Sequence, residues 1–268
     1  MRQLCPYCLA AHLAAATAAV LILRATGNPL RYRHLPAATA LGIAFLIAGP
    51  WINRPTNHEV RPASPTQLTP GRHLDIFGGL FRINVDEVPM IGRRDAPAVI
   101  VSLLDYTCRH CRKMHGLLLA AEQAHRGKLA IVTLPMPLDA GCNKVIQQTA
   151  PPHADACQYA RAALAVWRAD PNKMDRFNDW VFEPDEPPGL ESVLGYAQEI
   201  VGAEALGRAM NDPWVEKQLA QNIAIYEATY KRFGNGAMPQ LIVGDNIVFG
   251  ELENGMQDLE TLLADILK

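Results

Sequence analysis

The sequence has almost no surplus of charge: 25 Lys and Arg stand against 27 Asp and Glu, a formal balance of −2. A chain this close to neutrality, with both signs mixed, lacks the basic field that nucleic acid demands of a partner. Internal repeats are absent, which excludes a solenoid or propeller. Cysteine is scarce, at six residues. No second Cys-X-X-Cys or His pair follows Cys108–Cys111 at zinc-site spacing, so a closed zinc site is disfavoured and no metal is expected. Formal charge is missing altogether from two stretches, Cys5 to Leu23 and Leu35 to Ile52.

Each of those stretches is long enough to cross a bilayer as a helix, although the first is alanine-rich. Between them Arg24, Arg31 and Arg33 crowd a short loop, which the positive-inside rule places in the cytoplasm. Both outer ends then face the periplasm or exterior: Cys5 and Cys8 at one, and everything after Trp51 at the other. A cleaved signal peptide beginning at Met1-Arg2-Gln3 is the rival reading of the first run. It explains neither the cysteine pair at its head nor the second run. From Asn53 to about Gly79 the chain is rich in proline, threonine and charge without a steady period, and reads as a tether. The expected organisation is two transmembrane helices in residues 1–54, a linker over 55–80 and an α/β domain over 81–268.

The cysteines fall into three pairs, Cys5/Cys8, Cys108/Cys111 and Cys142/Cys157, a pattern that suits an oxidising compartment. Cys108-Arg109-His110-Cys111 stands directly behind the apolar run Ala98 to Leu104. That is a strand ending in a dithiol that opens a helix. The helix N-terminus offers unpaired N–H groups and partial positive charge to a thiolate at Cys108, and Arg109 and His110 add further positive charge. The expectation is a lowered thiol and an oxidising disulfide. Cys142 and Cys157 admit two readings, a structural disulfide or a second catalytic pair. Their spacing lacks the strand-to-helix setting that activates a thiol, which favours a staple contributing about 3 kcal/mol through its closed loop.

Around the dithiol the pattern predicts a short strand at Arg82–Val85, a segment at Pro89–Gly92 and a buried strand at Ala98–Leu104. A helix follows from His110 to about Arg126, then a strand at Leu129–Pro135. This is a βαβ unit with a parallel crossover. A long helical block comes next: Ala154–Ala169, Asn172–Phe182, Leu190–Val201 and Ala203–Phe233, with breaks at Pro184, Pro187, Pro188 and Gly202. Gln240–Gly250 reads as a hairpin turning at Asp245-Asn246, and a last helix runs from about Asn254 to Leu267.

Asp105-Tyr106-Thr107-Cys108-Arg109-His110-Cys111 resembles the active-site segment of DsbA-like disulfide oxidoreductases, a branch of the thioredoxin superfamily. The resemblance covers about residues 82–268. It implies a thioredoxin-like fold with a helical insertion, here preceded by the two transmembrane helices. It also implies a cis-proline facing the dithiol, for which Pro239, preceded by Met238, is the candidate. In that family the backbone before the proline pairs with an extended client chain. Asp105 has two readings, a group that helps Cys111 lose its proton or a cap at the strand end.

Cys5-Pro6-Tyr7-Cys8-Leu9-Ala10-Ala11-His12 resembles the Cys-X-X-Cys segment of bacterial vitamin K epoxide reductase homologues. Several of those are fused to a thioredoxin-like domain, and there the membrane dithiol passes electrons to quinone. By position Cys5 and Cys8 inherit that role. The sequence departs from the family in holding only two of the four core helices and no loop cysteine pair ahead of them. A separate chain that supplies the missing half, a start assigned at an internal methionine and a lost membrane activity all remain open. Quinone is therefore expected only with a complete membrane half, and no cofactor is expected in the thioredoxin-like domain.

The reading these observations imply is a thiol–disulfide oxidoreductase of the inner membrane, with its thioredoxin-like domain on the periplasmic or extracellular side. Its catalytic candidates are Cys108, Cys111, His110 and Pro239, with Cys5 and Cys8 in the membrane segment. Its partners are unfolded secreted proteins with free thiols. A reductase or isomerase on the same fold, and a membrane-anchored binding module with structural cysteines, are the alternatives.

Overall fold

A computed structural model describes residues 71–244 and 246–268. The expected transmembrane helices, the Cys5/Cys8 motif and the tether as far as Pro70 lie outside the described residues. The chain divides after Ser64, and the second unit, Pro65–Lys268, holds every described residue. Among the described residues no helix is long and apolar enough to cross a membrane.

The first elements among the described residues are a hairpin, β1 (His73–Ile76) and β2 (Phe81–Asn84), paired Leu74 to Ile83 and Ile76 to Phe81. This corrects the expected linker over 55–80 at its C-terminal end. Ile76 and Ile83 are buried with the main core, and Gly78 and Gly79, at φ +67° and +87°, make the turn between the strands. The glycine pair is thus a hairpin turn rather than the end of a tether.

The central sheet runs β3–β5–β4–β6–β7. β3 is Met90–Gly92, β4 Ala98–Leu104, β5 Leu129–Pro135, β6 Gln240–Val243 and β7 Asn246–Phe249. β4 and β5 are parallel, joined through helix α1 (Arg109–Ala124), and every other pairing is antiparallel. β4 and β5 are apolar but for the buried Ser102 and Thr133, because both faces of the sheet are covered. Ile100, Leu129 and Ile131 pack with Met114, Leu118 and Ala121 of α1, and with Leu259 and Leu263 of the last helix. Val101, Leu103, Val132 and Leu134 belong to the larger core built with the helical insertion.

That insertion comprises α2 (Ala156–Ala169), α3 (Met174–Phe182), α4 (Leu190–Val201), α5 (Ala203–Met210) and α6 (Pro213–Phe233). The sequence pattern predicts one helix from Ala203 to Phe233, and the structure has two. Pro213 supplies no backbone N–H, and the Asp212 carboxylate accepts from Trp214 N at 2.9 Å, so a new helix starts there. In the β6–β7 hairpin Val243 pairs with Asn246, which moves the turn one residue ahead of the expected Asp245-Asn246. Gly244, at φ +58°, takes the left-handed conformation that the tight turn needs. The last helix, α7 (Met256–Leu263), is shorter at both ends than expected.

Candidate active site

β4 ends at Leu104, and the turn Asp105-Tyr106-Thr107 carries the chain into α1. Cys108 is the N-cap of α1, in extended conformation, with its N–H on Asp105 O at 3.1 Å. Its sulfur therefore sits where the first helical N–H groups are without helical partners. Cys111 lies one turn inside the helix, and its sulfur accepts the Asp105 N–H at 3.3 Å. Both are unbonded thiols. Cys108 keeps 5 % of its surface and Cys111 only 1 %, so an incoming sulfur meets Cys108 first.

The two thiols are driven apart electrostatically. Cys108 is drawn down from 9.0 to about 7, chiefly by the hydrogen bond from the Cys111 thiol and further by the backbone N–H groups of Cys111 and His110. Burial and the Asp105 charge oppose the shift. Cys111 is pushed well above the ordinary thiol range, first by burial and then by its role as donor to Cys108. The helix N-terminus contributes as the sequence leads one to expect, whereas the charges of Arg109 and His110, expected to add to it, are not among the largest influences. The His110 ring is turned to Glu251, with Nδ1 bonded to Oε1, and Lys113 Nζ reaches the same oxygen at 3.0 Å.

Beneath the dithiol the Asp105 carboxylate accepts from Thr107 N at 2.7 Å, Thr107 Oγ1 at 2.6 Å and Leu138 N at 2.6 Å. These are the contacts of a cap that ties the end of β4 to the loop after β5. Burial nevertheless pushes its carboxyl up. His153 Nδ1 lies 2.8 Å from Thr107 Oγ1 and 3.8 Å from the Asp105 carboxylate. Tyr106 donates its hydroxyl to Asn178 Oδ1 at 2.7 Å and stacks on Phe182, which fixes the turn against α3.

Met238–Pro239 is a cis peptide. Gln240 pairs with Leu103, so the register sets Pro239 level with Leu104, at the sheet end that holds the dithiol. Cys142 and Cys157 are bonded to each other, 15 residues apart. They close the loop that carries His153. Cys5 and Cys8 lie outside the described residues. Among the described residues no group of three or more His, Cys, Asp or Glu side chains is placed to hold a metal ion. Glu251, His153 and Leu138 are marked by no motif, and each meets the dithiol only through the fold. Thr107 lies within the 105–111 segment, but its bonds to Asp105 and His153 are seen only in the structure.

The family model described as Thioredoxin matches residues 84–264. No curated protein matches the chain. Among solved structures, the catalytic domain of Proteus mirabilis ScsC is 20% identical with a TM-score of 0.52, over 68% of this chain and 89% of that one. The thiol-disulfide exchange protein alpha-DsbA2 from Wolbachia pipientis is 20% identical with a TM-score of 0.52, over 67% and 87%. A thioredoxin-like oxidoreductase from Silicibacter pomeroyi is 23% identical with a TM-score of 0.51, over 67% and 91%. With a strand-to-helix dithiol and a cis-proline at one end of its sheet, the chain belongs to the thioredoxin family and is a thiol–disulfide oxidoreductase.

Proposed function

We propose that this chain is a membrane-tethered oxidoreductase that acts outside the cytoplasm, where Cys108–Cys111 passes a disulfide to secreted proteins. The asymmetry of the pair carries the reading: the less buried sulfur, lowered to about 7, is backed by a fully buried one held protonated. A client thiolate attacks Cys108 of the oxidised pair and expels Cys111, which takes up a proton. A second client thiolate then attacks the client sulfur of the mixed disulfide and expels Cys108 as its thiolate. The client loses two electrons and the pair gains them. A lowered thiol leaves faster, which favours this second step.

The Cys142–Cys157 disulfide supports an oxidising compartment, since such bonds are rare in the cytosol. The charge-free runs and their arginine loop support a double membrane crossing. On this reading the segment that resembles vitamin K epoxide reductase homologues brings Cys5/Cys8 to the same side to reoxidise the pair. In a complete membrane half Cys5 and Cys8 would be the residues that pass electrons on, and quinone would be their acceptor.

One observation favours a second reading. A value of about 7 matches the thiol of thioredoxin, about 7, and lies above that of DsbA, about 3.5, which suits a reductase or isomerase. The two readings separate when the oxidised chain meets a reduced dithiol peptide and the reduced chain meets insulin. Stoichiometric peptide oxidation is the expected result. Insulin reduction without peptide oxidation would replace the oxidase reading with the second one.

A further inference from the structure

Three titratable side chains meet at the rim of the dithiol, and the exchange steps above use none of them. His110 and Lys113 come from the first turns of α1, and both reach Oε1 of Glu251, just past β7. The two partners, His110 first, hold the Glu251 carboxyl below its ordinary range. Gly250 donates its N–H to Pro239 O at 2.8 Å, so the hairpin that carries the cis-proline also delivers Glu251.

A cation beside a reactive cysteine favours its thiolate and stabilises the reduced pair. A cation paired to a carboxylate does so less, because the opposite charge cancels much of its field beyond the pair. The largest influences that lower Cys108 are the Cys111 thiol and two backbone N–H donors. Asp105 also faces the sulfurs, and its charge opposes both thiolates. Its hydrogen bonds run to Thr107 and Leu138, apart from the Glu251 cluster.

We infer that Glu251 is a positioning residue that holds the His110 imidazole on its own carboxylate, and so keeps Cys108–Cys111 a milder oxidant than its Cys-Arg-His-Cys motif would otherwise be. The inference rests on the thiol–disulfide reading and deepens it. Glu251 acts through His110, and its side chain is 37% exposed, so its replacement leaves the core untouched.

The test is the equilibrium with glutathione, in which two glutathione thiols give two electrons to the Cys108–Cys111 disulfide and leave as glutathione disulfide. It uses the 268-residue chain in detergent with Cys5→Ser and Cys8→Ser in every arm, so that one dithiol is read. Glu251→Gln is expected to move the equilibrium toward the dithiol roughly tenfold, or about 30 mV, and to bring the Cys108 thiolate midpoint below its starting value. In a His110→Ala background the same replacement is expected to change neither quantity. An unchanged or opposite shift in the first pair overturns the inference. A shift of equal size without His110 overturns it too, since the carboxylate would then act through Lys113 or its charge alone. Failure of the underlying reading has its own signature: the parent chain would not equilibrate with glutathione at all.

Discussion

Cys108 and Cys111 are the same residue three positions apart, and helix position alone separates their chemistry. Cys108 caps α1 and collects hydrogen bonds, whereas Cys111 is buried inside it and donates one. Cys111→Ser should therefore trap mixed disulfides with client proteins on non-reducing gels, and Cys108→Ser should trap none. Because Cys108 is depressed from 9.0 to about 7, the reduced chain gains stability from this group as pH rises across that window. It loses that stability as pH falls back through about 7. Asp105→Asn replaces one of the two oxygens, each of which accepts a backbone N–H, by an amide NH2 that cannot accept. Denaturant unfolding should show a loss of about 1–3 kcal/mol. The alkylation midpoint of Cys108 should move down in the same variant, because an opposing charge is gone.

At the scale of elements, the sequence was most legible where local pattern and burial agree. β4, β5 and α4 lie where their apolar periodicity puts them, between turn residues that end them. It was least legible where a long-range contact decides. Leu74 and Ile76 become a strand only because Ile83 folds back on them, and Glu251 meets His110 across 141 positions. His115 belongs to the same class. It is one turn beyond Cys111 on α1, buried against Phe182, and burial depresses it from 6.5 to about 4. Its neutral form is favoured by folding, so the stability it contributes is complete above pH 6.5 and drains away as pH falls toward about 4. His115→Phe should flatten that part of the stability profile in urea titrations. The Cys142–Cys157 bond closes a loop of 15 positions, for which the chain-entropy scale gives about 3 kcal/mol. Replacing both by alanine should lower the melting temperature while peptide oxidation by Cys108–Cys111 continues. A folded double variant without activity would show that the stapled loop takes part in the chemistry.

For the molecule as a whole, the proposed electron path needs both dithiols on one side of a membrane. Arg24, Arg31 and Arg33 then hold the short loop in the cytoplasm. A reporter active only outside the cytoplasm should work when fused after Lys268 and fail when fused at Asn28. The reverse pattern would place Cys108 in a reducing compartment and end the oxidase reading. The central claim, that Cys108 is an activated thiol and Cys111 its buried partner, is met most directly by the pH dependence of alkylation. The measurement uses the reduced chain with Cys5→Ser and Cys8→Ser. A single reactive thiol with a midpoint near 7 is predicted, lost in Cys108→Ser. A midpoint at or above 9.0, or one that survives Cys108→Ser, would contradict the account.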